Sequence, residues 1–316
     1  MSDRWVAVLS GGMSHEREVS LRSGRRLSSA LRAVGLTVDE WDVDTSLVHR
    51  LRESRPDAVI AALHGGAGEN GAVQSVLAML DVPYVGTDPH ACRRAWDKPT
   101  AKAELTGAGI ATPEWVVLPH STFRELGAQA VLDAMVERLG LPLMLKPDQS
   151  GSGLGAQVVR EASELPAAMV GCLAYGDTVL AERFVAGVEV AVIVIDGPDG
   201  PEALPPVEIV PEHGIYDYTA RYTAGLTTFH APARLAPETA TAVTELAINA
   251  HRLLGLRDVS RTDAIVEPDG TVQFLEVNVS PGLTETSLLP MAADAAGRSL
   301  GEIFAGLVER AVARHQ

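Results

Sequence analysis

An α/β fold that opens with a parallel N-terminal layer is predicted by three observations. Short apolar runs ending in glycine recur through the first third of the chain. Stretches with helical spacing separate them, as expected of strands joined by crossover helices. The chain has 316 residues and is 46% hydrophobic, which can fill the cores of two or three packed units and argues against disorder.

"WVAVLS" is the first strand, closed by Gly11-Gly12. Leu27, Leu31 and Val34 then recur at helical spacing, and Gly35 stops that helix. "LTVDEWDV" and "DAVIAALHGG" supply further strands, and "GAVQSVLAML" a second helix. Asp88 to Trp96 reads as a crossover into a second unit, where "VVLP", "LPLMLKP" and "AQVVRE" are strand-like and Ala128 to Leu139 is helical. The last part combines strands ("EVAVIVI", "PPVEIV") with helices near Glu238 to Leu254 and Gly301 to Val312. "DGPDGPEALPP" is the clearest loop, and its place between two strand-like runs makes it a hairpin loop rather than a linker.

Charge and cysteine content narrow the partners. Lys plus Arg number 26 against 41 Asp plus Glu, a formal net charge of −15, which disfavours nucleic acid or an anionic membrane. The two cysteines, Cys92 and Cys172, lie far apart without C-x-x-C spacing, so a disulfide framework or zinc site is not expected. The N-terminal apolar run is too short for a signal peptide, and no apolar stretch approaches the ~18 residues of a membrane span. A cytoplasmic, soluble protein is the expectation.

Three clusters carry chemistry. The first is "SRTDAIVEPDGTVQFLEVNV", a β-hairpin turning near Asp269-Gly270. Alternation puts Phe274, Glu276 and Asn278 on one face and Leu275, Val277 and Val279 on the other. A two-residue loop sets Asp263 opposite Glu276 and Arg261 opposite Asn278, with facing Cβ atoms about 4.5–5.5 Å apart. A three-residue "PDG" loop with a bulge shifts that register by one and separates the carboxylates. Asp263, Glu276 and Asn278 together form an oxygen-only donor set that suits Mg²⁺ or Mn²⁺ rather than zinc. A solvated face on which Arg261 pairs Asp263 accounts for the same residues.

The second cluster is "LPLMLKPDQSGSGLGAQVV". Lys146 ends a strand and Gly151, Gly153 and Gly155 follow, so backbone N–H groups can approach phosphate oxygens. No G-K-[ST] follows, so it is not a P-loop, and a flexible hairpin reads equally well. The third is "SGGMSHEREVSLRSG" with "LHGGAGENG", two strand-then-glycine entrances to helices suited to a small charged ligand. There Glu16 can hold an ammonium, Glu18 suits a first-turn carboxylate, and His64 ends a strand in a structural or a site role.

In their order these segments resemble the D-alanine–D-alanine ligases of the ATP-grasp superfamily. The resemblance rests on "GGMSHEREVSLRSG", "LHGGAGENGAVQ", "VPYVGTD", "DKPTAK", "LKPDQSGSGLG", "YDYTARYTAG", "RTDAIV" and "EVNVSPGLTETSLLPM", spread over nearly the whole chain. It implies a three-domain ATP-grasp fold. Residues 1–90 would form the substrate-binding α/β domain and 91–185 the central domain. Residues 186–316 would form a C-terminal domain with the metal and acyl-transfer site. It also implies two Mg²⁺ (or Mn²⁺) ions, a homodimer, and a reaction for peptidoglycan precursors. ATP would phosphorylate one D-alanine carboxylate, and the amine of a second D-alanine would attack the acylphosphate.

By resemblance, Lys98 and Lys146 would contact ATP phosphates, Glu182 and Glu189 the adenine and ribose, and Arg221 would belong to the cofactor-binding set. Asp263, Glu276 and Asn278 would hold the metals. Arg261 and the Gly282 N–H would stabilise the tetrahedral intermediate. Glu16, with His64 nearby, would bind the first ammonium, while Ser287 and Leu288 would receive the second carboxylate. Ser152 and Tyr222 would link with Glu16 to close a loop over the site. Four positions depart from the common pattern: Arg221 replaces a lysine, Gly153 a serine, Asn70 an acid and Val279 a threonine. Two other readings remain: a related ligase that joins other amino acids, and a nucleotide-binding protein without catalysis. Tyr222 favours a peptide over an ester product, and the retained acyl-transfer set argues against a pure binder.

Overall fold

The computed structural model describes residues 4–223 and 225–315. Strands β1 (Trp5–Ser10), β2 (Thr37–Asp42), β3 (Ala58–Ala61) and β4 (Tyr84–Val85) form an all-parallel sheet in the order β2-β1-β3-β4. Helices α1 (Arg17–Ala33), α2 (Leu47–Ser54) and α3 (Ala72–Met79) are its crossovers. The expected parallel layer is therefore present, with Gly35 at φ 93° just past α1. Strand β1 reads as an unbroken apolar run because both its faces are covered. Val6 and Val8 pack with Leu27 and Leu31 of α1, while Ala7 and Leu9 pack with Trp41, Leu51 and Leu77. Helix α2 and strand β4 carry no comparable signal; only Leu47 and Leu51 of α2 are buried.

The crossover from Asp88 is itself helical. Helices α4 (Pro89–Trp96) and α5 (Lys98–Gly107) each begin at a capping aspartate. Asp88 accepts from His90 N and Ala91 N, and Asp97 from Thr100 N. The second sheet, antiparallel, contains β5 (Trp115–Pro119), β6 (Leu143–Pro147), β7 (Gln157–Val159) and β8 (Thr178–Arg183) in the order β5-β8-β6-β7. Helices α6 (His120–Leu126), α7 (Ala128–Leu139) and α8 (Leu165–Leu173) accompany it, and α7 matches the predicted helix.

The third sheet holds β9 (Val188–Gly197), β10 (Gly200–Ala203), β11 (Val207–Pro211), β12 (Thr227–His230), β13 (Val259–Val266) and β14 (Val272–Asn278). Its order is β12-β11-β9-β13-β14, with β10 on β9. Helices α9 (Tyr218–Tyr222), α10 (Pro237–Leu253), α11 (Leu288–Ala295) and α12 (Leu300–Ala313) complete the chain. The "DGPDGPEALPP" segment is a hairpin as expected, but its residues 196–197 end β9 and 200–203 form strand β10, so little of it is loop. A proline on such a short strand masked the pairing. Helix α12 returns to the first layer, where Leu307 and Val308 join the Val6–Leu27 cluster.

The β13–β14 hairpin decides the site. Its loop is the three-residue one: Glu267 N donates to Thr271 O and Gly270 N to Glu267 O. Near the turn Val266 therefore faces Val272 and Ala264 faces Phe274. A bulge then intervenes, and beyond it Asp263 faces Glu276 and Arg261 faces Asn278. Leu275 is the extra residue, and it cancels the shift that the longer loop introduces. The convergence expected of the two-residue loop thus arises from a different loop plus a compensating bulge. The face assignment needs correcting for the same reason: Phe274 is buried with Val277 and Val279, and Leu275 lines the cavity beside Glu276.

Candidate active site

Two adjoining cavities occupy the region where the three sheets meet. The larger, about 500 Å³, is lined by Lys146, Glu182, Glu189, Asp263 and Glu276. The smaller, about 50 Å³, is lined by Glu16, Ser152, Arg261, Gly282 and Ser287. Tyr216 and Arg221 line both.

In the larger cavity Lys146 and Glu182 come from neighbouring strands. Met144 pairs with Glu182 across β6–β8, so Lys146, two residues on, shares its face. The Glu182 carboxylate lies 2.6 Å from Lys102 Nζ and 2.5 Å from Lys146 Nζ. Burial opposes its charge, but Lys146 and Lys102 outweigh burial and hold its carboxyl below the usual range. Lys102 had no sequence signal; it reads as an ordinary helical lysine in "DKPTAKAEL" yet is completely buried. Lys98 Nζ donates to Ser150 O at 2.5 Å and stands 3.6 Å from Glu276 Oε2, which joins α5 to the glycine loop. Burial pushes Glu189 up to about 7, with Asp263 and Glu276 adding repulsion and Arg221 opposing it.

On the hairpin, Arg261 and Asp263 lie two residues apart on one strand and share a face. Arg261 Nε and Nη2 donate to Asp263 at 2.7 and 2.9 Å. The simple pairing of Arg261 with Asp263 is therefore present, but it is buried rather than solvated. Burial opposes ionisation of Glu276, but Lys98, Lys146, Arg221 and Arg261 together bring its carboxyl down to about 2. Asn278 Oδ1 accepts from Ser280 N at 2.7 Å, and its Nδ2 donates to Glu69 at 3.4 Å. Among the described residues no three His, Cys, Asp or Glu side chains gather as a metal cluster. Two carboxylates and an amide oxygen brought together by the register do match the donor chemistry of a hard divalent ion.

The smaller cavity is closed by a hydrogen bond that joins distant segments: Ser152 Oγ donates to Glu16 Oε1. Two of the three members of the expected loop-closing link are thus together. Tyr222 belongs to α9, and its side chain lies outside the described residues. His64 is buried between Ser280 O, 3.1 Å from Nδ1, and Ser23 Oγ, 2.8 Å from Nε2. A carbonyl only accepts, so Nδ1 carries the proton and Ser23 donates to Nε2. Burial lowers the His64 pKa, against the pull of Glu16, in keeping with a neutral ring. Ser23 also accepts from Leu283 N at 3.2 Å, so His64 braces the turn that carries Gly282. Sequence reasoning missed Ser23 because it is one of several serines on α1. Ser287 Oγ accepts from Thr284 N at 3.0 Å, and Leu288 begins α11.

Gly65 must be glycine here. Its backbone is at φ 68°, ψ 164°, and an added Cβ would stand 2.3 Å from Glu16 Oε2. Gly65→Ala is expected to lower stability in urea unfolding by about 1–3 kcal/mol and, if Glu16 binds a substrate ammonium, to raise that substrate's KM. Gly66→Ala, where a Cβ would meet nothing within 4 Å, should leave that KM unchanged.

Comparison with known proteins places this geometry. Residues 105–309 match the family model described as D-ala D-ala ligase C-terminus. A D-alanine–D-alanine ligase of Anaeromyxobacter sp. (strain K) is 42% identical over 305 residues, covering 96% of this chain and 94% of the relative. The crystal structure of a D-alanine–D-alanine ligase from Bacillus anthracis is 27% identical with a TM-score of 0.83, and 99% of each chain is covered. The VanG D-Ala:D-Ser ligase from Enterococcus faecalis is 26% identical with a TM-score of 0.83, covering 98% of this chain and 100% of that one. The similarity spans nearly the whole of each chain, and this chain belongs to the D-alanine–D-alanine ligase family.

Proposed function

We infer that the protein joins two D-alanine molecules into D-alanyl-D-alanine at the expense of ATP, for peptidoglycan precursors. The observation that carries this reading is the wall that Tyr216 and Arg221 share between the two cavities, the larger carrying Lys146 and Arg221 beside the carboxylates Asp263 and Glu276, the smaller carrying Glu16 and Arg261. A carboxylate is a poor electrophile. Transfer of the γ-phosphoryl group to a D-alanine carboxylate oxygen releases ADP and gives an acylphosphate. The amine of the second D-alanine attacks the acyl carbon, the C–O bond to phosphate breaks, and the amine loses a proton. Such a sequence needs placed cations and donors more than a protein nucleophile.

Lys98, Lys146 and Arg221 would neutralise phosphate oxygens, and Glu189 would meet the ribose. Glu182, whose charge is already committed to two lysines, would address the adenine. Asp263, Glu276 and Asn278 would hold two Mg²⁺ (or Mn²⁺) ions, which supply neutralisation of phosphate charge when bound. Glu16 receives the first ammonium and His64 holds the neighbouring turn. Arg261 and Gly282 N–H face the developing oxyanion. Ser287 and Leu288, at the start of α11, receive the second carboxylate. Ser152 donates to Glu16, and Tyr222 would join that link to close the site and exclude water that would hydrolyse the acylphosphate. The working form in this reading is a cytoplasmic homodimer; the described residues contain no helix long and apolar enough to cross a membrane.

A second reading, a ligase with a different second amino acid, draws on the VanG relative, whose fold superposes as well as that of the Bacillus anthracis enzyme. Phosphate release from ATP and Mg²⁺, screened across D- and L-amino acids with mass spectrometry of products, separates the two. D-alanine-dependent turnover yielding D-alanyl-D-alanine is the expected result. Turnover with another acceptor alone would select the second reading, and no amino-acid-dependent turnover would remove both.

A further inference from the structure

The wall between the two cavities contains a pair that sequence reasoning did not connect. Arg221 Cζ lies 4.2 Å from the centroid of the Tyr216 ring. Its Nε also donates to the Tyr216 carbonyl at 3.3 Å. The ring is fixed from behind, because Tyr216 meets Phe229 edge-on, with centroids 6.0 Å apart and an interplanar angle of 80°. The turn that brings Arg221 back over it is held by Asp217, whose carboxylate accepts from Ala220 N at 2.8 Å. A short helix thus begins at the ring and returns a guanidinium to its face.

An arginine on a free stem samples many positions, and its charge is useful only where it is held. Around Arg221 stand Glu189, Glu276 and Asp263, which line the larger cavity with it. Without a fixed seat the guanidinium would be drawn onto whichever of these carboxylates is nearest. A cation over an aromatic face gains from the ring quadrupole, and gains more where water is scarce.

We propose that Tyr216 is a positioning residue whose ring face holds the Arg221 guanidinium at the junction of the two cavities, where the phosphoryl group crosses from nucleotide to amino acid. The proposal rests on the ligase reading above. It differs from simple core packing in one respect: it depends on the electron density of the ring as well as its shape.

Fluorination tests that dependence. Tyr216→Phe keeps both the shape and the ring face and is the reference against which the fluorinated series is read. Phenylalanine derivatives carrying one, two and three fluorines at position 216 keep the shape and progressively drain the face. Across that series kcat/KM for ATP should fall stepwise, reaching about tenfold, with Tm unchanged. ADP affinity, measured by calorimetry on the same proteins, should weaken in parallel. A flat response in both quantities would overturn the proposal, because packing alone would then explain Tyr216. A large loss in Tyr216→Phe would overturn it too, by assigning the effect to the hydroxyl. Absence of D-alanine turnover in the parent protein would break the ligase reading, while the ADP series would still report on the stack.

Discussion

Glu276→Gln is expected to lower ATP-dependent ligation at least about a hundredfold while leaving the circular dichroism spectrum unchanged. The carboxylate faces Asp263 across the hairpin and lies 3.6 Å from Lys98. Four cations surround it strongly enough to hold its carboxyl at about 2, so the group is an anion at any working pH. The amide keeps the size and one oxygen but removes the charge. If Glu276 holds a divalent ion, the variant should need far more Mg²⁺ for any residual turnover, and Mn²⁺ binding followed by electron paramagnetic resonance should weaken. The opposite result is just as clear. Near-normal turnover with unchanged Mg²⁺ dependence would make Glu276 a structural counter-ion for Lys98 and remove the metal assignment. The Asp263–Arg261 pair gives no such clean test, because deleting either partner strands a buried charge.

The hairpin also shows how far sequence reasoning reached. Alternation and turn chemistry identified two strands and a loop, and the pairing of Asp263 with Glu276 followed from one of two candidate loops. The structure uses the other loop and regains the pairing through the bulge at Leu275. A bulge leaves no mark in the hydrophobic pattern here, since Phe274 and Leu275 are both apolar. The parallel layer was legible because its central strands β1 and β3 are nearly continuous buried apolar runs that lead into Gly11-Gly12 and Gly65-Gly66. Helix α2 and strand β4 were not, being too short to show a period. Among site residues, Glu16, His64 and Lys146 stand at strand ends or in glycine-flanked segments that draw the eye, and Arg261 was found through its place in the hairpin opposite Asn278. Ser23 and Lys102 act from the middle of helices, and only tertiary packing shows that they face a site rather than solvent.

Glu182→Ala is expected to cost about 3–5 kcal/mol of stability in urea unfolding at neutral pH, the cost of stranding buried charge. Lys102 is 0% exposed and Glu182 2% exposed, so neither lysine-facing charge can be exchanged for water without moving the backbone. One carboxylate here balances two ammoniums at 2.6 and 2.5 Å, and its removal leaves two like charges with no anion between them. The damage would spread beyond the second sheet. Lys102 Nζ also donates to Thr112 Oγ1, and Thr112 donates onward to Phe274 O at 2.8 Å, two residues before Glu276 on β14. Salt should not rescue the variant, since ions screen buried pairs poorly. The decisive comparison is Lys102→Met, which removes one cation and leaves a balanced Glu182–Lys146 pair. It should cost much less than Glu182→Ala, and adding it to Glu182→Ala should recover part of the loss. Equal losses in the two single variants would mean that side-chain packing, and not charge balance, governs this site. A loss below about 1 kcal/mol in Glu182→Ala would mean that the lysines reach water without the carboxylate, and that their burial depends on it.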